Sequence, residues 1–132
     1  MELIQFLLTD EVIKINEQHI LLFGGALGVR DFALLDSAVL SPQSSFGNVF
    51  SYKDVPTMAA VYAFGIIKNH PFVDGNKRTG MAVALIFLDM NNFDIILSND
   101  EVYDIGMKLA TSVLKYQEVA EIFKNKTRSR NH

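Results

Sequence analysis

Eleven consecutive residues, His70-Pro71-Phe72-Val73-Asp74-Gly75-Asn76-Lys77-Arg78-Thr79-Gly80, combine an imidazole, a carboxylate, an amide, two cations and two glycines. Uncharged apolar runs, Met58–Ile67 and Gly80–Leu88, flank them. Polar groups are costly at a joint between buried segments unless each has a partner, so their concentration there marks a candidate site. Pro71 cannot continue a helix, which puts His70 at a helix C-terminus. Gly75 permits torsions that expose successive amide hydrogens, and Asn76 opens the next helix. Such an N-terminus is suited to an anion, and Lys77 and Arg78 add positive charge at the same mouth. Arg78 can hold two phosphate oxygens at once. Asp74 would stand beside those phosphates, where a carboxylate ordinarily holds Mg²⁺. A neutral His70 can take a proton from a hydroxyl.

Each residue also has an ordinary reading. A histidine at a helix end can be hydrogen-bonded scaffolding, Asp74-Gly75-Asn76 can be a plain turn, and Lys77-Arg78 a solvated first turn. Two cations at the positive end of a helix are nevertheless unfavourable without an anion, which favours the site. Phe72 is read as core packing that anchors the loop.

The positioning elements read as helices. Thr9 stands as an N-cap before Asp10-Glu11, with Val12, Ile15, Ile20 and Leu22 continuing to the Gly24-Gly25 break. Leu3–Leu8 is either a strand or a lead-in. Asp31 caps a second helix that buries Leu34, Leu35 and Ala38 and ends at Pro42. In Gln43–Lys53, aromatic residues on both sides of Gly47-Asn48 predict a small exposed hairpin, a flap. Asp54 caps the next helix, with Pro56 in its first turn. That helix and another from about Asn76 to Met90 are apolar on every face, so both belong in the middle of the domain. Ser98 with Glu101 forms a capping box, and Gln117–Lys124 is a last helix. The fold class is an all-α bundle with one β flap.

The 132 residues suit a single domain, 1–132, and 49% hydrophobic residues supply its core. The absence of cysteine excludes disulfides, thiolate metal sites and a cysteine nucleophile. No apolar run approaches the roughly 20 residues of a membrane span. Met1-Glu2 has no basic character before Leu3–Leu8, so the expectation is a cytoplasmic protein without a signal peptide or membrane partner. Residues 124–132 carry Lys124, Lys126, Arg128 and Arg130, read as a frayed, solvated basic tail. Outside that tail 8 basic residues face 15 acidic ones, which does not favour nucleic acid.

His70 to Thr79 resembles the signature of the Fic/Doc superfamily, His-x-Phe-x-Asp/Glu-Gly-Asn-Gly/Lys-Arg. Gly28-Val29-Arg30-Asp31-Phe32-Ala33-Leu34-Leu35-Asp36-Ser37-Ala38 resembles a segment of its Doc branch, the death-on-curing toxins. The resemblance covers about residues 9–95. It implies a Fic-like fold with His70 as general base on a target-protein hydroxyl and Asp74 as Mg²⁺ ligand. It further implies an anion hole of Gly75, Asn76 and Lys77, and Arg78 as phosphate clamp. The flap, with Phe46, Gly47, Asn48, Val49 and Phe50, would align an extended target segment by strand addition, although it could be a plain connection. AMP-transferring Fic enzymes usually carry Gly where this chain has Lys77, and a second Arg where it has Met81. Doc-type toxins share both departures and deliver the γ-phosphate of ATP, with elongation factor Tu as the family's example of a target. The expected function is therefore a Doc-like kinase toxin acting on a translation factor. The alternatives are a Fic-type nucleotidyl transferase and a non-catalytic nucleotide- or partner-binding module. Many Fic proteins carry a self-inhibiting Ser/Thr-x-x-x-Glu-Gly/Asn helix. The pattern is missing here, so a separate antitoxin is the expected restraint.

Overall fold

The computed structural model describes residues 3–130; Met1-Glu2 and the last two residues of the basic tail lie outside them. Helix α1 is Thr9–Phe23, α2 Phe32–Leu40, α3 Val55–Asn69, α4 Asn76–Met90, α5 Asn99–Ala110 and α6 Tyr116–Lys126. A 3₁₀ turn, Ser41–Gln43, contains Pro42 and separates α2 from the hairpin β1 (Ser45–Phe46) and β2 (Val49–Phe50). Residues 3–8 are an extended lead-in rather than a strand.

Helix α3 lies at the centre, against α2, α4, α5 and α6. Met58, Ala59, Ala60, Tyr62, Ala63 and Ile66 are fully buried along it. Burying a large side chain of this kind stabilises by about 1.5–3 kcal/mol. The expectation that α3 and α4 are covered on every side needs one correction, because Phe64 and Ile86 reach the surface. The Tyr62 hydroxyl, 3.1 Å from the Leu7 amide nitrogen, accepts its hydrogen bond and anchors the lead-in to the core. Where α4 packs on α3, a Cβ on Gly80 would come within 2.7 Å of Ile67 Cγ1. The absence of a side chain is what permits this packing.

The expected caps hold at Asp31, Asp54 and Ser98, whose side chains accept from the amides of Leu34, Thr57 and Glu101. Thr9 is not a cap. Leu8 occupies that position, with its amide donating to Glu11 Oε1, and the Thr9 hydroxyl instead donates to Asp36 Oδ1 at 2.8 Å. A carboxylate on a neighbouring helix captured the hydroxyl, tying α1 to α2. Leu22, on the same helix, lies exposed.

The basic tail is not frayed within the described residues. Lys124 and Lys126 belong to α6, and β4 (Thr127–Ser129) pairs antiparallel with β3 (Phe93–Ile95). Arg130 then clamps Asp89 Oδ1 at 2.7 Å and Asp94 Oδ1 at 2.9 Å. Acids from the α4 end and β3, invisible to a local reading, order the segment and add a second small sheet. Among the described residues, no helix is long and apolar enough to cross a membrane.

Candidate functional site

The polar joint is held by contacts from residues 16–31, on and just after α1. His70 caps α3 in the left-handed conformation, φ 53° and ψ 51°. Pro71 disfavours a helical conformation there, and a positive φ is uncommon for a residue with a side chain. Arg30 supports the geometry: its Nε donates to the His70 carbonyl at 2.7 Å and its Nη2 to the Asn69 carbonyl at 3.0 Å. A cation on the last carbonyls of a helix is favourable. The backbone completes the strap, because the Arg30 and Asp31 amides donate to the Pro71 carbonyl and the Val73 amide to that of Gly28. Val29 and Phe72 form an isolated antiparallel bridge.

Asn76 braces the loop from within. Its side chain is 3% exposed, accepts from the Phe72 amide and donates to the Phe72 carbonyl, both at 2.9 Å. Phe72 itself is fully buried, as expected. Asn16 on α1 donates to the Asp74 carbonyl and to the Thr79 hydroxyl, each at 3.0 Å. Gly75 takes φ 78° at the N-cap of α4, and no side chain caps that end. The first intrahelical bond runs from the Thr79 amide to the Gly75 carbonyl. The amides of Asn76, Lys77 and Arg78 have no hydrogen-bond partner among the described residues. They stand as an uncapped positive end.

The reactive side chains face solvent. His70, Asp74, Lys77 and Arg78 are exposed, whereas Pro71, Phe72, Asn76, Thr79 and Gly80 of the joint are buried. Asp74 is fixed by its Oδ2, which accepts from the Ala26 amide at 2.7 Å. Neither Lys77 nor Arg78 has a carboxylate within ion-pair distance among the described residues. The Arg78 guanidinium instead lies over the Phe23 ring, 4.3 Å from its centroid. His19 stacks against the same ring at 5.7 Å. Its burial, reinforced by the positive charge of Arg78, holds its pKa below the usual histidine range. Met81 is 3% exposed and packs against Gly106 of α5.

The flap folds as expected, with Gly47 at φ 65° opening a two-residue loop between Phe46 and Val49. That position of a tight hairpin favours glycine. Phe46 and Val49 project into solvent, while Phe50 packs its ring 5.6 Å from Phe6. Among the described residues no hydrogen bond joins the flap to the motif loop. A cavity of about 190 Å³, lined by Ser37, Ser41, Tyr52, Phe64, Asn69 and Tyr116 among others, lies between the flap's base and α3. It is smaller than the roughly 300–1,000 Å³ of pockets that enclose small-molecule ligands. A local reading does not find Asn16, His19, Phe23 or Ala26, and gives Arg30 no contact. Asn16, Phe23, Ala26 and Arg30 reach the loop from 40 to 63 positions away in the chain, and His19 stacks with Phe23. The only sequence signal was the Gly28–Ala38 resemblance, which contains Arg30.

The family model for the Fic/DOC family matches residues 6–88. The chain is 38% identical over 92 residues to Toxin Doc of Mycolicibacterium smegmatis, covering 65% of this chain and 71% of that protein. It is 25% identical over 115 residues to Protein kinase doc of Escherichia phage P1, covering 85% and 87%. The matched span contains both the strap and the whole motif loop, and by this span the chain belongs to the Fic/DOC family.

Proposed function

We propose that this protein is a Doc-like phosphotransferase that moves the γ-phosphate of ATP to a Ser or Thr hydroxyl of a target protein. The observation that carries this reading is the contrast between Lys77 and Met81. Lys77 stands exposed at the uncapped start of α4 with no ion-pair partner among the described residues, whereas Met81, one turn on, is buried against α5. A lysine at the mouth obstructs close approach of an α-phosphate flanked by its nucleoside, and a buried methionine supplies no second phosphate clamp. A terminal phosphate, with no nucleoside on that side, suits the mouth better.

His70 takes the proton of the target hydroxyl, whose oxygen bonds to the γ-phosphorus as the bond from that phosphorus to the β–γ bridging oxygen breaks. ADP leaves. The amides of Asn76, Lys77 and Arg78, at the Gly75 turn, stabilise the oxygens of the transferring group, with the Arg78 fork adding charge. The Asp74 carboxylate is a hard oxygen donor, and among the described residues its Oδ1 carries no hydrogen bond. This suits Mg²⁺ bound by Asp74 together with ATP phosphates, where the ion would neutralise charge. The exposed strands around Phe46, Gly47, Asn48, Val49 and Phe50 offer an edge to an extended target segment. The target class is a translation factor of the elongation factor Tu type. The partner that restrains the site is a separate antitoxin.

The test is ATP labelled at either the α or the γ position, incubated with the protein and cell extract. Label from the γ position alone on one target, with ADP formed, is the expected result. Transfer of the α label would establish nucleotidyl transfer instead, and no transfer of either would leave a binding module.

A further inference from the structure

We infer that Phe23, the last residue of α1, is a positioning residue that holds Arg78 ready for phosphate; this rests on the reading of Arg78 as the phosphate clamp. Phe23 is 60% exposed, so hydrophobic burial does not explain its place. Its ring carries the Arg78 guanidinium at 4.3 Å and also stacks with the His19 imidazole at 5.7 Å, with 30° between the two ring planes. The two aromatic side chains lie one turn apart on α1, so the stack is built into a rigid element.

The kind of partner matters chemically. A carboxylate beside Arg78 would orient it too, but would occupy its donors and compete with an incoming phosphate. An aromatic face attracts the cation through the ring quadrupole while the N–H groups, which lie in the guanidinium plane, stay open at the edges. Among the described residues Arg78 has no acidic partner. The surrounding mouth is therefore arranged so that its cation is ordered before the anion arrives, which lowers the conformational cost of binding.

The experiment measures Mg²⁺-ATP affinity of the full chain by calorimetry, with thermal melting as a check on folding. Phe23→Ala should weaken binding roughly 2–5-fold, the worth of one exposed cation–π contact. Phe23→Tyr should retain wild-type affinity, as should Leu22→Ala, the exposed apolar neighbour. Arg78→Ala should weaken binding more, and adding Phe23→Ala to it should bring no further loss. The Arg78 Nε–H resonance should lie upfield in the ring current of Phe23 and move downfield in Phe23→Ala. Unchanged affinity in Phe23→Ala, additive losses in the double variant, or no ring-current shift would overturn the positioning role alone. ATP affinity unaffected by Arg78→Ala, or no ATP binding by the wild type, would overturn both it and the clamp reading.

Discussion

Asn76→Ala separates the loop's brace from its chemistry. The Asn76 amide satisfies both the N–H and the C=O of Phe72, at 2.9 Å each, inside a region where Asn76 is 3% exposed and Phe72 fully buried. Alanine removes both partners and leaves two backbone groups facing one small void. An unsatisfied buried polar group costs about 1–3 kcal/mol. Some water entry from the nearby mouth offsets part of this, so the expected loss is roughly 2–4 kcal/mol. For a domain of this size that lowers the melting temperature by roughly 6–20 °C. Asn76→Asp is a sharper control, because it keeps an acceptor for the Phe72 amide but sets a carboxylate against the Phe72 carbonyl. It should be no more stable than the alanine variant. Urea unfolding measures both, with the slope against denaturant checked for constancy. If Asn76→Ala unfolds within 0.5 kcal/mol of wild type, the bonds to Phe72 do not hold the loop and the argument fails.

The other expectations concern the exposed groups. His70→Ala should keep its fold, since the ring is exposed and the helix-end contacts from Arg30 run to backbone carbonyls; transfer to the target should fall by ~10²–10⁴. Near-wild-type turnover would remove His70 as the base. Asp74→Ala should weaken Mg²⁺-ATP binding and regain part of its rate in excess Mg²⁺, whereas indifference to Mg²⁺ would exclude Asp74 from the metal. His19 should titrate below the usual value of 6.5, because burial and then Arg78 disfavour its charged form. The folded chain then holds fewer protons than the unfolded one between those two midpoints. This contribution to stability is fully present above about 6.5 and is lost as pH falls through the folded midpoint. Nuclear magnetic resonance titration of the His19 ring reads it directly, and a midpoint at or above 6.5 would contradict the burial argument.

What the sequence determined by itself was whatever depends on neighbours in the chain. Asp31, Asp54 and Ser98 cap because a cap bonds an amide three residues on, and Pro71 and Gly75 delimit α3 and α4 through their own torsions. The flap followed from Gly47-Asn48, and the motif from His70 to Thr79 was legible because its residues are contiguous. Tertiary structure alone decided the interactions that link distant segments. Thr9 left its cap position for Asp36, and the basic tail became a strand because Asp89 and Asp94 stood ready for Arg130. Arg30, Asn16 and Ala26 became the loop's supports, and Phe23 met Arg78, only once α1 lay against α4. A hydrogen-bonding side chain advertises that it needs a partner, but packing chooses which one it finds.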